Sequence, residues 1–216
     1  MTLALDLHWH GKTPSDAAFS PDRVYRYWLD RCWDQSRPGL AIVGLNPSTA
    51  DEHRNDQTIR REKTFADDLG YGSFRKYNLY GLRSTDPSVL ANHPDPIGPD
   101  NDSHLAEIPQ LYDLVILAWG GGADPTRANV VASMLWRSLQ KSGGALGALG
   151  WTADGQPRHP SRLRRATTLQ CLTAGAHPDY LDVDPRWTQL IADTTLRPPV
   201  ICSENQEIPT SLGEKN

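Results

Sequence analysis

The segment LAIVGLNPSTAD (Leu40–Asp51) changes character in its middle. Its first half, from Leu40 to Leu45, is apolar or small, which is typical of a buried strand. The residues from Asn46 to Thr49 that follow are turn formers with side-chain hydrogen-bonding groups. A core strand that ends in so many polar groups is typical of α/β proteins, in which loops beyond the strand ends carry the functional side chains.

Similar strands follow along the chain, and helical patterns separate them. We predict further strands at 74–82, 113–119 and 145–151. Helices are predicted near 21–34, from Asp56 to about Leu69, shortly after Thr85, at 125–141, and from Asp184 to about Asp193. Strands that alternate with helices predict an α/β fold, a three-layer α/β/α sandwich around a central, mostly parallel sheet of about four strands.

The composition is that of a soluble globular protein. Of the 216 residues, 38% are hydrophobic and 22% are charged, which favours a single α/β domain over residues 1–202 with a flexible tail at 203–216. The net charge of −4 argues against a strongly basic nucleic-acid-binding domain, so any such site must be a local positive patch. The chain contains neither the apolar run of a transmembrane helix nor the pattern of a signal peptide.

The cysteines also restrict the class of protein. Cys32, Cys171 and Cys202 lie far apart, and no C-x-x-C motif is present. A zinc ribbon or a four-cysteine iron–sulfur site is therefore not expected. An odd number of cysteines favours reduced thiols, and we expect a cytoplasmic protein that uses no metal or cofactor and does not contact a membrane.

Loops with shared chemistry follow the predicted strands. All of them combine turn residues with hydroxyl groups, and most carry arginine. They are GLNPSTAD (44–51), GLRSTDPS (81–88), WGGGADPTR (119–127) and GQPRHPSRLRR (155–165). Because ligands of open α/β sheets bind beyond the carboxyl ends of the strands, we expect these loops to line one site.

The first three loops each have a functional and a purely structural interpretation. Asn46 can orient a water or read a base edge, or it can satisfy its own backbone in a turn. Arg83 with Ser84 and Thr85 can hold a phosphate, or the hydroxyls only cap a helix. The amides of Gly120–Gly122 can face an anion, or the glycines only permit a tight turn.

The fourth loop is strongly basic. The segment RHPSRLRR (158–165) contains arginines and no acid. Arg158, Arg162, Arg164 and Arg165 either form a patch that contacts nucleic-acid phosphates or are solvated residues at a helix start. His159 in the same segment can act as an acid or donate a hydrogen bond to developing negative charge.

Two resemblances involve these loops. The pattern GLNPSTAD…DQTIRR…FADDLGYGSFRKYNLYGLRSTDP…GPDND…LAWG…LGWTADGQPRHPSRL resembles the domain-of-unknown-function family numbered sixteen forty-three over residues 20–165. That family name implies no activity. More loosely, the order of motifs resembles the uracil-DNA glycosylase superfamily, whose members share a parallel-sheet α/β/α sandwich. GLNP (44–47) is similar to their first motif, G-x-[DN]-P, and HPSRL (159–163) is similar to their H-P-S-P-L motif. LAWG (117–120) is similar to the end of an apolar strand in some members.

The resemblance to glycosylases implies a role for each matched residue. Asn46 would position a water, and His159 would stabilise charge on the departing base. Ser161 would hold a phosphate, and Leu163 would wedge into the space left by a flipped nucleotide. The other candidate substrate contacts are Gly44, Pro47, Ser48, Thr49, Arg83, Ser84, Trp119 and Gly120. The candidate nucleic-acid contacts are Arg158, Arg162, Leu163, Arg164 and Arg165.

These observations support three hypotheses. The leading one is a glycosylase-like protein that hydrolyses the N-glycosidic bond of an altered or mispaired base in DNA. The second is a hydrolase or sensor for a free nucleotide or another small phosphorylated ligand. The third is a non-catalytic nucleic-acid-binding module on the same fold.

Overall fold

The computed structural model describes residues 15–48, 55–173 and 183–191. Within these ranges the strands are β1 (Ser15–Phe19), β2 (Arg26–Cys32), β3 (Gly39–Gly44), β4 (Ser73–Asn78), β5 (Leu114–Leu117), β6 (Ala145–Ala148) and β7 (Gln170–Thr173). The helices are α1 (Gln57–Asp68), α2 (Pro87–Asn92), α3 (Asn101–Leu111), α4 (Pro125–Ser142) and α5 (Pro185–Ile191), with one short 3-10 helix at Pro160–Arg162. Thr49 and the predicted tail at 203–216 lie outside the described residues.

All strands belong to one sheet, in the order β1-β2-β4-β3-β5-β6-β7. The four in the middle, β4, β3, β5 and β6, are parallel, and they correspond to the strands that the sequence predicts. β1, β2 and β7 pair antiparallel at the two sides. The α/β class is confirmed. The described sheet has seven strands rather than about four, since the prediction did not include the three antiparallel strands.

The helix predicted at 21–34 is wrong, because this segment contains strand β2. Val24, Trp28 and Cys32 have helical spacing, but the segment pairs with β1 on one side and with β4 on the other. Residues on both faces of the strand are buried, including Leu29 on one face and Asp30 on the other. Alternation of apolar and polar residues is absent from such a strand, so the local pattern does not reveal it.

Helices cover both faces of the sheet. On one face α1 packs against β3, β4 and β5, through a cluster that includes Ile59, Phe65, Leu40, Ile42 and Phe74. On the other face α3 and α4 cover the sheet, and α5 packs against α4. The core cluster on this face includes Leu105, Ile108, Val131, Leu135, Leu190, Ala41, Val43 and Tyr77. Helix α3 was not predicted, and its internal Pro109 weakens the helical pattern there.

Backbone hydrogen bonds join the loops at the carboxyl ends of the parallel strands. The amide of Leu79, after β4, donates to the carbonyl of Gly44, the last residue of β3, over 2.9 Å. The amide of Ser84 donates to the carbonyl of Pro47, in the loop after β3, over 3.0 Å. The loops after β5 and β6 are joined as well, since the amide of Gly120 donates to the carbonyl of Pro157 over 2.8 Å. The expected convergence of these loops at one edge of the sheet is thus present.

A buried ion pair fixes the antiparallel side of the sheet. Asp30 of β2 lies opposite Arg75 of β4 in the strand register, and each oxygen of its carboxylate accepts a hydrogen bond of 2.6 Å from the guanidinium. The same guanidinium lies over the Trp28 ring, with its Cζ 4.1 Å from the ring centroid. The pair therefore holds β2 in register with β4.

We expect Asp30→Asn to destabilise the fold by about 3–5 kcal/mol, because it leaves the buried Arg75 charge without its counter-ion. Urea unfolding measures the change. The matched control is Asp34→Asn, which removes a partner of Arg37 at the surface and should have a much smaller effect. Equal losses of stability in the two variants would contradict this role of the Asp30–Arg75 pair.

Candidate functional site

The joined loops enclose a cavity of about 280 Å³ at the carboxyl edge of the parallel strands. Its described wall is mainly polar and includes residues from β2, β4, α1 and each pair of joined loops. The polar and aromatic members are Arg26, Asn46, Ser48, Asp56, Thr58, Lys76, Ser84, Thr85, Trp119 and His159. Asn46 and His159, from the first and last motifs of the sequence, therefore line the same cavity.

Asn46 combines the structural and the functional interpretation of its loop. Its Nδ2 donates to the carbonyl of Ser84 over 2.7 Å and to that of Pro47 over 3.2 Å. Because both partners are acceptors, the amide nitrogen must lie on this side and Oδ1 on the other. No described residue donates to Oδ1, so the side chain is fixed by the loops and still presents one acceptor to a ligand or water.

His159 is held as a neutral imidazole. Its Nδ1 accepts a hydrogen bond from the Ser161 amide over 3.3 Å and lies 2.9 Å from the Ser161 hydroxyl. The ring proton therefore resides on Nε2. Burial lowers the pKa of His159, the charge of Lys76 lowers it further, and Asp56 opposes both, with a resulting pKa of about 4. At neutral pH the side chain thus offers one donor, Nε2–H, which no described residue accepts.

Trp119 and Gly120 bring the third loop against His159. Gly120 has a φ of 77°, and a Cβ at this position would lie 3.1 Å from the Cβ of His159. Only glycine combines this left-handed backbone with such a close approach. The Trp119 ring lines the cavity, and its Nε1–H donates to Gln156 over 2.8 Å. Because the Gly120 amide is bonded to Pro157, it does not face an anion in this structure.

A buried ion pair lies beside these residues, and the sequence did not predict it as part of the site. Lys76 of β4 donates from Nζ to Glu62 of α1, and both side chains are almost fully buried. Gly44 makes room for the lysine, since a Cβ there would lie 2.8 Å from Nζ. The only sequence signal for this pair is a charged residue at a central position of the predicted strand at 74–82.

Asp56 is an ionised carboxylate at the start of α1. It caps the helix by accepting from the Ile59 amide over 2.8 Å, and it also accepts from the Ser48 hydroxyl. Burial alone would raise its pKa, but these hydrogen bonds and the charges of Lys76 and Arg26 outweigh burial and lower the pKa below the usual value. The sequence indicates the cap, and the structure adds that Asp56 lines the cavity.

Arg26 supplies the second cation of the cavity wall. Burial and the nearby charge of Arg83 lower its pKa to about 10, so Arg26 still carries its charge at neutral pH. The residue was missed because its segment was predicted as a helix, in which its position has no relation to the loops at the edge of the sheet.

Arg83 and Ser84 lie at the rim of the cavity. The Ser84 hydroxyl donates to the carbonyl of Asp86 and accepts from its amide, over 2.9 and 3.0 Å, while Ser84 and Thr85 both line the cavity. Arg83 donates from Nη1 to the carbonyl of Arg23 over 3.1 Å and lines an adjoining groove. The cap of α2 is Asp86, so the hydroxyl of Thr85 is not needed as a helix cap.

The basic segment after β6 is divided between the surface and the core. Arg158, Arg162, Arg164 and Arg165 are exposed, and Arg165 forms a bidentate ion pair with Asp68. Ser161 is exposed and bonded to His159. Leu163 is buried in the cluster under α1, so its expected role as a wedge would require the side chain to leave the core.

Comparison with known proteins gives one match. A family model described as a protein of unknown function (DUF1643) matches residues 26–161. This range includes the loops that enclose the cavity and ends within the segment that contains His159. No curated protein and no solved structure matches the chain. In the described part of the chain, none of the helices has the length and apolar character that crossing a membrane requires.

We expect the imidazole of His159 to titrate with a midpoint near pH 4 and to stay neutral from pH 6 to 8, which NMR of the imidazole ring measures. Lys76→Met should raise this pKa because it removes a repelling cation, and Asp56→Asn should lower it because it removes an attracting anion. His159→Gln assigns the resonance. A midpoint at the ordinary value of 6.5, or identical shifts in both variants, would contradict the burial of His159 and its interactions with Lys76 and Asp56.

Proposed function

The chain belongs to the DUF1643 family, whose name assigns no activity, and we propose from its site that it hydrolyses the N-glycosidic bond of an altered or mispaired base in DNA. The observation that carries this proposal is the meeting of Asn46 and His159 at one cavity. Asn46 presents an acceptor and His159 presents a donor, which are the two groups that such a hydrolysis needs on opposite sides of the bond that breaks.

Asn46 would act on the water. Its Oδ1 accepts a hydrogen bond from a water and aims that water at C1′ of the sugar. As the water oxygen bonds to C1′, the bond from C1′ to the base nitrogen breaks and its electron pair leaves with the base. The proton lost by the water ends on the departing base, so the reaction consumes one water and requires no metal or cofactor.

His159 would act on the base. Negative charge develops on a carbonyl oxygen of the departing base, and the Nε2–H of a neutral imidazole can donate to that oxygen. The Ser161 contacts to Nδ1 keep the proton on Nε2, so the donor is in place before the bond breaks. Ser161 thus supports the proposal as the residue that orients His159, in addition to its expected contact with a phosphate.

Asp56 would act on the sugar. Positive charge develops at C1′ in the transition state, and an ionised carboxylate in the cavity wall stabilises that charge. The lowered pKa keeps Asp56 ionised at neutral pH. Its hydrogen bonds to the Ser48 hydroxyl and the Ile59 amide hold the carboxylate in place.

The rest of the site supports an extruded nucleotide as the ligand. Enzymes that act on a base in DNA take it out of the stack into a snug pocket, and Trp119 provides an aromatic wall here. Arg162 and Arg164, in the segment that contains His159, are exposed and have no partner among the described residues. They can therefore contact DNA phosphates.

We expect Asn46→Ala and His159→Ala each to reduce base release by about 100-fold or more, the usual loss when one such group is removed. The assay measures abasic sites in a panel of single- and double-stranded oligonucleotides that carry different altered or mispaired bases. Lys141 is an exposed residue of α4, and the control variant Lys141→Ala should release the base at the wild-type rate. Absence of abasic product across the panel, or full activity of Asn46→Ala, would reject the proposal.

A second candidate function is hydrolysis or sensing of a free nucleotide or another small phosphorylated molecule. The observation that favours it is the pair of cations, Arg26 and Lys76, in the cavity wall of a protein with a net charge of −4. Thermal unfolding separates the candidates. A mononucleotide that raises the midpoint where an oligonucleotide does not supports the second candidate, and the reverse supports the first.

A further inference from the structure

We propose that a groove beside the cavity binds the phosphate of the nucleotide whose base enters the cavity. The inference rests on the proposed function only in taking a nucleotide as the ligand. The groove has a volume of about 480 Å³, and its described lining consists of Arg23, Val24, Ser48, Arg83, Ser84 and Thr85. Ser48, Ser84 and Thr85 also line the cavity, so the two spaces share one wall and a single ligand can span them.

The chemistry of the lining fits a phosphate ester. Its described residues contribute two guanidinium groups and three hydroxyl groups, and none of them carries a carboxylate. Arg83 uses Nη1 for the Arg23 carbonyl, while its buried Nε has no partner among the described residues. A guanidinium has five N–H donors in a planar fork that matches phosphate oxygens. Arg83 is therefore anchored through one nitrogen and has donors left for an anion.

An aromatic ring holds both arginines in position. Phe19, the last residue of β1, has the Cζ of Arg23 at 3.8 Å and the Cζ of Arg83 at 5.0 Å from its ring centroid. Guanidinium groups stack favourably on aromatic faces, so the ring gathers two like charges in one place. Side chains that are already ordered lose less conformational entropy when a ligand binds.

The positive charge of the groove extends into the cavity wall. Burial lowers the pKa of the cavity residue Arg26, and the like charge of the nearby Arg83 lowers it further. A bound phosphate would relieve this repulsion. Within the cavity, by contrast, Lys76 is paired with Glu62, and Asp56 supplies negative charge. Among the described residues of the site, net positive charge is therefore found at the groove.

The backbone at Arg23 is strained. Its φ of 58° is the only positive value at a non-glycine residue in the described part of the chain. The turn that imposes it is closed by the amide of Arg23 donating to the Ser20 carbonyl over 2.9 Å. A left-handed conformation is unfavourable for a residue that carries a Cβ, and such strain is common at ligand-binding positions. The backbone conformation at this position favours glycine, so the presence of arginine here indicates a role for its guanidinium group.

The positive φ at position 23 makes Arg23→Gly a suitable test variant, because glycine removes the guanidinium and is compatible with the turn. We combine it with Arg83→Gln and measure binding by fluorescence anisotropy over a range of salt, with a single-stranded oligonucleotide as the probe. Deoxyuridine monophosphate, deoxyuridine and inorganic phosphate serve as competitors. The control variant is Arg137→Gln with Lys141→Gln, two exposed cations of α4 that line neither space.

We expect the double variant Arg23→Gly with Arg83→Gln to bind the oligonucleotide at least 10-fold more weakly. The magnitude of the slope of log K against log salt should fall by about 0.7, because the contact to one phosphate of a single strand is lost. The control should retain the original slope. Competition by deoxyuridine monophosphate should weaken in the double variant, while competition by deoxyuridine should not change. Thermal unfolding checks that Arg23→Gly is folded. Its midpoint should equal or exceed that of the wild-type protein.

The possible outcomes distinguish binding at the groove from the proposed reaction. If the double variant weakens binding of the monophosphate alone, the groove binds free nucleotides. If the double variant weakens binding of the oligonucleotide, the groove binds a nucleic-acid strand, and either result supports the groove as a phosphate site. Asn46→Ala should bind with an unchanged slope, so loss of turnover with normal binding tests the reaction alone. Equal slopes in the groove and control variants, or absence of binding of every phosphate probe to the unchanged protein, would overturn the proposal.

Discussion

The candidate site is organised around the buried ion pair of Lys76 and Glu62, which connects β4 to α1. Two charges without water around them are costly, and their mutual attraction in a well-formed pair repays much of this cost. The pair can exist only where α1 lies directly on the end of the parallel strands. Gly44 meets the same requirement from β3, since any side chain there would collide with Nζ of Lys76. The position of α1, the Asp56 cap and the cavity wall all follow from this packing.

The charge of Lys76 also affects the protonation of the residues around it. Burial lowers the pKa of His159 and Lys76 lowers it further, while the hydrogen bonds from Ser48 and Ile59, with the charge of Lys76, lower the pKa of Asp56. A neutral imidazole and an ionised carboxylate therefore coexist in one cavity. For His159 the consequence for stability has a definite sign. Because the folded pKa of about 4 lies below the ordinary 6.5, the unfolded chain binds more protons in this window. Protonation therefore destabilises the fold as the pH falls from 6.5 towards 4.

The sequence predicted the parts of the fold that local patterns determine. Strand β3 and helix α4 follow from their apolar residues, and the start of α1 follows from its cap, Asp56. Strands β1, β2 and β7 have the sequences SDAAF, RYWLDRC and QCLT, and they were missed because none of them is an apolar run. The same distinction applies to the site. Asn46 and His159 stand in recognisable loops, whereas the burial of Lys76 and Arg26 depends on α1 and on the edge of the sheet, which no local pattern specifies.

The lowered pKa of Asp56 decides between two roles that a carboxylate can have in such a site. A general base works best when its pKa is near the operating pH, and the pKa of Asp56 is instead held below the usual value by the Ser48 hydroxyl, the Ile59 amide and two cations. These contacts also occupy both oxygens. A carboxylate held in this way is a poor proton acceptor but a permanent negative charge, which suits the stabilisation of positive charge on a sugar. In the proposed reaction, the water would depend on Asn46 for its orientation rather than on Asp56 for its activation.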